Sequence, residues 1–163
     1  MSLVENKKLV YRYLSEISDP EIPVINIVEM GVVRDVLFHG SKLEIKLTPT
    51  YSGCPAMDMI HQLVEEKLHS KGYNFVEVTL VYKPAWTTDW MSDETKQKLT
   101  RFGIAPPVGK VASKKTLLNN DHVSCPHCGS KNTEMKSMFG STACKALYVC
   151  KKCLEPFDYF KCI

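Results

Sequence analysis

Residues 6 to 17 repeat apolar positions at helical spacing, placing Leu9, Val10, Tyr13, Leu14 and Ile17 on one face. The pattern predicts a core-packing helix that stops at Ser18-Asp19-Pro20, because a residue before proline is pushed out of the helical region. The period then changes from helical to alternating. Val32 to Phe38 reads as a strand, His39-Gly40-Ser41 as a turn, and Lys42 to Thr48 as its hairpin partner, with Leu43, Ile45 and Leu47 on one face. A second helix runs to about Ser70, with Ala56, Ile60, Leu63, Val64 and Leu68 aligned and Gly72 as its stop. Phe75 to Tyr82 alternates again as a third strand. The order α-β-β-α-β predicts a small α+β domain over residues 1–85.

Periodicity weakens beyond Tyr82, and residues 86–120 read as a connector and linker. Trp86 and Trp90 are too apolar to stand in water and are expected to pack on the first domain or on a partner chain. Ser92 to Arg101 is a short helix with Ser92 as N-cap and Gly103 past its end. Ala105 to Lys115 reads as extended and solvated. From 121 to 163 the composition changes to a cysteine-rich module.

The chain has 163 residues and is 44% hydrophobic, so a core is affordable and disorder is not the default. No apolar run reaches membrane-spanning length and no signal-peptide pattern opens the chain, so a cytoplasmic location without membrane association is expected. A net charge of +3 is too small to point to nucleic acid.

Seven cysteines change the picture most. Cys125-Pro-His-Cys128 and Cys150-Lys-Lys-Cys153 flank 21 residues, close to the spacing of four-cysteine zinc ribbons. Two such knuckles supply four thiolates in a tetrahedron, as zinc prefers. A module this short cannot bury enough surface to fold alone, which gives a structural metal its purpose. Two alternatives stand beside zinc. An iron–sulfur cluster also takes four thiolates, and Cys144 and Cys162 offer further sulfurs. A disulfide oxidoreductase motif would require a helix opening at Cys125.

Cys54 is the other chemical feature. It follows a Pro49-Thr50-Tyr51-Ser52-Gly53 turn and precedes Pro55, a residue favoured at the first helical position. This puts Cys54 at or next to a helix N-cap, where orphan N–H groups and the helix dipole are expected to lower a thiol pKa. The residues alone also allow a buried cysteine acting as a small hydrophobe. Asp19 and Glu21, in Asp19-Pro-Glu-Ile-Pro-Val24, read on their own as turn or cap residues.

Asp19-Pro-Glu-Ile-Pro-Val24, Gly31-Val-Val33 and Leu47-Thr-Pro-Thr-Tyr-Ser-Gly-Cys-Pro55 together resemble the SufT-like family of iron–sulfur assembly domains. Phe139-Gly-Ser-Thr-Ala-Cys-Lys-Ala-Leu-Tyr-Val-Cys-Lys-Lys-Cys-Leu-Glu-Pro-Phe-Asp-Tyr-Phe-Lys-Cys162 resembles the zinc ribbon of the PaaD family of phenylacetate degradation. The resemblance implies an accessory or maturation factor of the multicomponent phenylacetyl-CoA epoxidase, not an enzyme in itself. It implies roles in cluster transfer for Cys54, Asp19 and Glu21. Four ligands are needed to hold a cluster, so one cysteine would contribute to a transient cluster shared with a second protomer, as a homodimer, or with a client. The expected client is the iron–sulfur reductase component. Two other classes stay open: a scaffold that docks epoxidase subunits with Cys54 incidental, and an enzyme with Cys54 as nucleophile, for which no oriented His and acid partner is evident.

Overall fold

The computed structural model describes residues 3–108 and 123–161, which fall into two compact units, 1–86 and 87–163. The first unit opens with helix α1 (Leu3–Leu14), whose Val10 and Leu14 are fully buried. The helix ends earlier than its apolar pattern. Glu16 N–H donates to the Tyr13 carbonyl and Ile17 N–H to that of Leu14, a tighter turn that still buries Ile17.

Residues 18–32 form an irregular but buried segment closed by a bridge between Ser18 and Asn26. Ile22, Ile25, Ile27 and Met30 all lie in the core. Hydrogen bonds stand in for regular structure here: Asn26 Oδ1 accepts from the N–H groups of Val28 and Glu29, and Asp19 N–H donates to the Ile25 carbonyl.

Strand β1 (Val33–His39) and strand β2 (Lys42–Leu47) form the expected hairpin, turning at Gly40 with φ of +64°. Helix α2 (Ala56–Ser70) crosses back, and strand β3 (Phe75–Leu80) pairs with β2 in parallel, giving the order β1-β2-β3. The alternating side chains Leu43, Ile45 and Leu47 are buried, as are Ile60, Val64 and Leu68 of α2. Each such side chain contributes about 1.5–3 kcal/mol on burial. Trp86 is also buried, its indole N–H donating to the Met30 carbonyl at 2.9 Å, so it seals the irregular segment of its own unit.

The second unit contains helix α3 (Asp93–Arg101), capped as expected by Ser92, whose hydroxyl accepts from Thr95 N–H. Its four-stranded sheet has the order β4-β7-β6-β5, from β4 (Ile104–Ala105), β5 (Thr133–Ser137), β6 (Lys145–Cys150) and β7 (Pro156–Phe160). Ala105, read from sequence as the start of a solvated linker, is instead buried and paired with Tyr159. The apolar pair Ile104-Ala105 gains a strand edge and a core by that pairing. The remainder of that linker from 109 onward, and Cys162, lie outside the described residues.

Among the described residues, no helix is long and apolar enough to cross a membrane.

Candidate functional site

Two centres of sulfur chemistry emerge, one in each unit. The first begins where β2 ends. Thr48 N–H donates to the Val32 carbonyl, and the chain leaves the sheet into the turn that carries Cys54. Gly53 takes φ of +80°, a conformation that side chains with a Cβ rarely adopt. This folds the turn back so that Cys54 N–H reaches the Tyr51 carbonyl at 3.3 Å. Pro55 is the N-cap of α2, so Cys54 stands one residue before the helix.

The Cys54 sulfur is half-buried, and the Ala56 N–H and the Tyr51 and Thr50 hydroxyls act on it so as to favour its ionised form. The Glu21 carboxylate lies near enough to act on it electrostatically. Asp19 is buried, and its Oδ1 accepts from the N–H groups of Glu21 and Ile22, both at 2.9 Å. The structure therefore brings Cys54 and Glu21 together across 33 positions of sequence, and Asp19 fixes the backbone that carries Glu21. Thr50 and Tyr51 were not singled out from sequence, although both belong to the same tight turn. Thr48 adds a buried hydroxyl with no hydrogen-bond partner among the described residues.

The expectation of a lowered thiol pKa is corrected. Burial raises the Cys54 thiol above its ordinary value, and the carboxylate of Glu21 pushes the same way; the Ala56 N–H and the two hydroxyls offset only part of this. The helix supplies less than expected because Pro55, which has no N–H, occupies the cap position between Cys54 and the first helical turn. In the iron-free protein, iodoacetamide labelling of Cys54 is accordingly expected to be slow at pH 7. Followed by peptide mass spectrometry, its rate should still climb as pH passes the range where an ordinary thiol has ionised. A rate that levels off near neutral pH would contradict the burial effect.

The second centre lies in the ribbon. The sulfurs of Cys125, Cys128, Cys150 and Cys153 all lie within 4.8 Å of one another. Cys125 and Cys153 are 3.7 Å apart, and Cys128 and Cys150 are 3.6 Å apart. A tetrahedron with zinc–sulfur bonds of about 2.3 Å has edges of about 3.8 Å. The donor set thus fits zinc in number, type and spacing. Each knuckle turns back through a residue of positive φ, Gly129 at +72° and Leu154 at +65°. In the second knuckle the N–H groups of Lys152 and Cys153 point at the Cys150 sulfur.

Those N–H groups lower the Cys150 thiol to about 6. The Glu155 N–H lowers Cys153, but burial and the neighbouring cysteine sulfurs outweigh it and push that thiol up to about 12. Four thiols so close cannot all ionise without a cation among them, and a bound divalent ion removes that obstacle. Both Cys-x-x-Cys pairs sit on turns beside strands, without the helix that a disulfide oxidoreductase requires at Cys125. Cys144 stands apart from the set, buried and 3.0 Å from the Thr142 hydroxyl.

Comparison with known proteins covers both units. Residues 7–80 match the family model described as an iron–sulfur cluster assembly protein, and residues 109–161 match that of the PaaD zinc beta ribbon domain. An Escherichia coli K12 protein, provisionally named as one of the subunits of 1,2-phenylacetyl-CoA epoxidase, is 47% identical over 154 residues, spanning 94% of this chain and 92% of its own. The chain belongs to the PaaD zinc-ribbon family. That match runs through both domains in one polypeptide. An Fe-S protein maturation auxiliary factor of Porphyromonas gingivalis is 33% identical over 98 residues, covering 59% of this chain and 92% of its own. A solved Bacillus anthracis domain, described only as a domain of unknown function, superposes with a TM-score of 0.54 at 30% identity over 59% of this chain and 92% of its own. The ribbon domain and the four clustered cysteines support zinc as the bound metal, which there would crosslink the two knuckles.

Proposed function

We propose that this chain is an accessory and maturation factor of phenylacetyl-CoA epoxidase, and that it carries or transfers an iron–sulfur cluster through Cys54. The observation that carries this reading is the environment of the Cys54 sulfur, which faces three hydrogen-bond donors and the Glu21 carboxylate at the carboxyl end of β2. The thiol is held mainly protonated by burial, so it is quiet until iron arrives. On coordination the S–H proton passes to Glu21 or to water, the sulfur forms one bond to iron, and the three donors stabilise the resulting charge. Asp19 keeps Glu21 in place for that transfer.

One protein thiolate leaves the other iron positions of the cargo to a client or to a second protomer. A partly ligated cluster is exchanged readily, because an incoming client thiolate replaces a single protein bond. The reductase component of the epoxidase, an iron–sulfur protein, is the client that fits this role. The four ribbon cysteines fit zinc, and with zinc bound they would not compete for the cargo.

The test is anaerobic addition of ferrous iron and sulfide to the zinc-loaded protein. Visible absorbance should develop in the natural chain and be lost in Cys54→Ser, with zinc content unchanged, and the client should receive about tenfold less cluster from the variant. Equal colour and equal client occupancy in Cys54→Ser would remove the reading.

A further inference from the structure

The tip of the β5–β6 hairpin departs from the rest of the ribbon. Met138 and Phe139 are 53% and 68% exposed, with Met135 three residues earlier at 44%. Such large side chains in so short a run form an apolar spot on a module whose own core lies elsewhere, around Ala105, Val123, Cys150 and Phe157.

The tip is also held in place. Phe139 N–H donates to the Ser137 hydroxyl at 3.1 Å. Lys161 reaches across from beyond β7, its Nζ donating to the Met138 carbonyl at 2.9 Å and lying 4.7 Å from the centre of the Phe139 ring. Behind it, Gly140 N–H donates to the Lys145 carbonyl, and the Ser141 hydroxyl bonds Asp158 Oδ2 at 2.7 Å. Phe139 is thus presented to solvent by a fixed loop, which lowers the ordering cost of binding.

Charge around the tip is uneven. Glu134 is engaged by Lys136 and Lys151, and Asp158 by the buried Lys145. Among the described residues no carboxylate pairs with Lys161, whose ammonium rests on the aromatic ring and the carbonyl. An exposed aromatic ring beside a cation with no carboxylate partner among the described residues offers a partner both apolar area and charge.

We infer that Met138, Phe139 and Lys161 form a docking surface for a partner protein that offers an apolar socket edged by a carboxylate. Resting on the functional reading above, that partner is a subunit of the epoxidase, engaged through the ribbon while Cys54 acts from the other unit. The Phe139 ring enters the socket, Met138 covers its rim, and the carboxylate pairs with Lys161.

The experiment is titration of the zinc-loaded chain against each purified epoxidase subunit, with Phe139→Ala and Lys161→Glu as variants. Phe139→Ala should weaken binding by about 30-fold. Lys161→Glu should weaken it comparably and invert its salt dependence, because like charges then face each other and salt screens their repulsion. Both should retain full zinc content and the thermal transition of the natural chain, and Cys54→Ser should bind normally. Unchanged affinity in both Phe139→Ala and Lys161→Glu overturns the docking surface while leaving the functional reading intact. Loss of self-association, or of single-stranded oligonucleotide binding, in the same variants, with subunit binding unaffected, overturns it in favour of a second copy or a nucleic acid. Failure of the natural chain to bind any epoxidase subunit overturns the functional reading, and this one with it.

Discussion

Stripping zinc from the protein should unfold the ribbon while leaving the first unit folded. Its small core, centred on Ala105, Val123, Phe157 and the buried ligands Cys125 and Cys150, is too slight to offset the entropy of ordering the strands. Structural zinc contributes about 10–16 kcal/mol to modules of this kind, far more than the stability of any ordinary small domain. Cys150→Ser should have the same effect as chelation, because it removes a ligand that also organises the second knuckle through the N–H groups of Lys152 and Cys153. Near-ultraviolet circular dichroism offers a local probe. Tyr148 stacks on Phe157 at 5.8 Å and meets Tyr159 edge-on at 5.5 Å, and the signal of these rings should vanish on metal loss. A ribbon that keeps this signal with no zinc bound would show that packing alone suffices.

Asp19→Ala should be the most damaging single change in the first unit. The carboxylate is buried and its Oδ1 accepts two backbone N–H groups, so its removal leaves both donors without a partner in an apolar segment. Leaving a buried donor unsatisfied costs about 1–3 kcal/mol, and the two donors share one acceptor, so a total of about 3 kcal/mol is expected. For a unit of this size the melting temperature should fall by more than about 10 °C. The loss also releases the backbone at Glu21, so iron- and sulfide-dependent colour should weaken even below the melting transition. Asp19→Asn keeps an oxygen acceptor and should restore most of the stability. If Asp19→Ala melts with the natural chain, Asp19 is not the clamp described here. If Asp19→Asn restores stability but not colour, the charge of Asp19 matters to the cargo in its own right.

Much of the architecture could be read from local patterns. Leu43, Ile45 and Leu47 alternate, and they do line one buried face of β2; Ile60, Val64 and Leu68 recur at helical spacing, and they do face the core from α2. Ser92 was identifiable as a cap because its hydroxyl acts within one turn. The segment from 18 to 32 was not readable in this way. Its core residues Ile22, Ile25, Ile27 and Met30 follow neither period, since their burial is set by long-range packing and by side-chain to backbone bonds.

The same division holds for the sites. Chain pattern alone pointed to a metal site at two Cys-x-x-Cys pairs, because ligand spacing within each knuckle is a local property. Cys144 and Cys162 stayed open as further ligands until the fold gathered the other four sulfurs within 4.8 Å. Chain pattern likewise placed Cys54 next to a helix start, since Gly53 and Pro55 act on their immediate neighbours. Only tertiary structure decided that burial raises the pKa of that thiol, that Glu21 acts on it, and that Asp19 holds the backbone at Glu21. Burial and electrostatics depend on which distant groups surround an atom, and no stretch of sequence contains that neighbourhood.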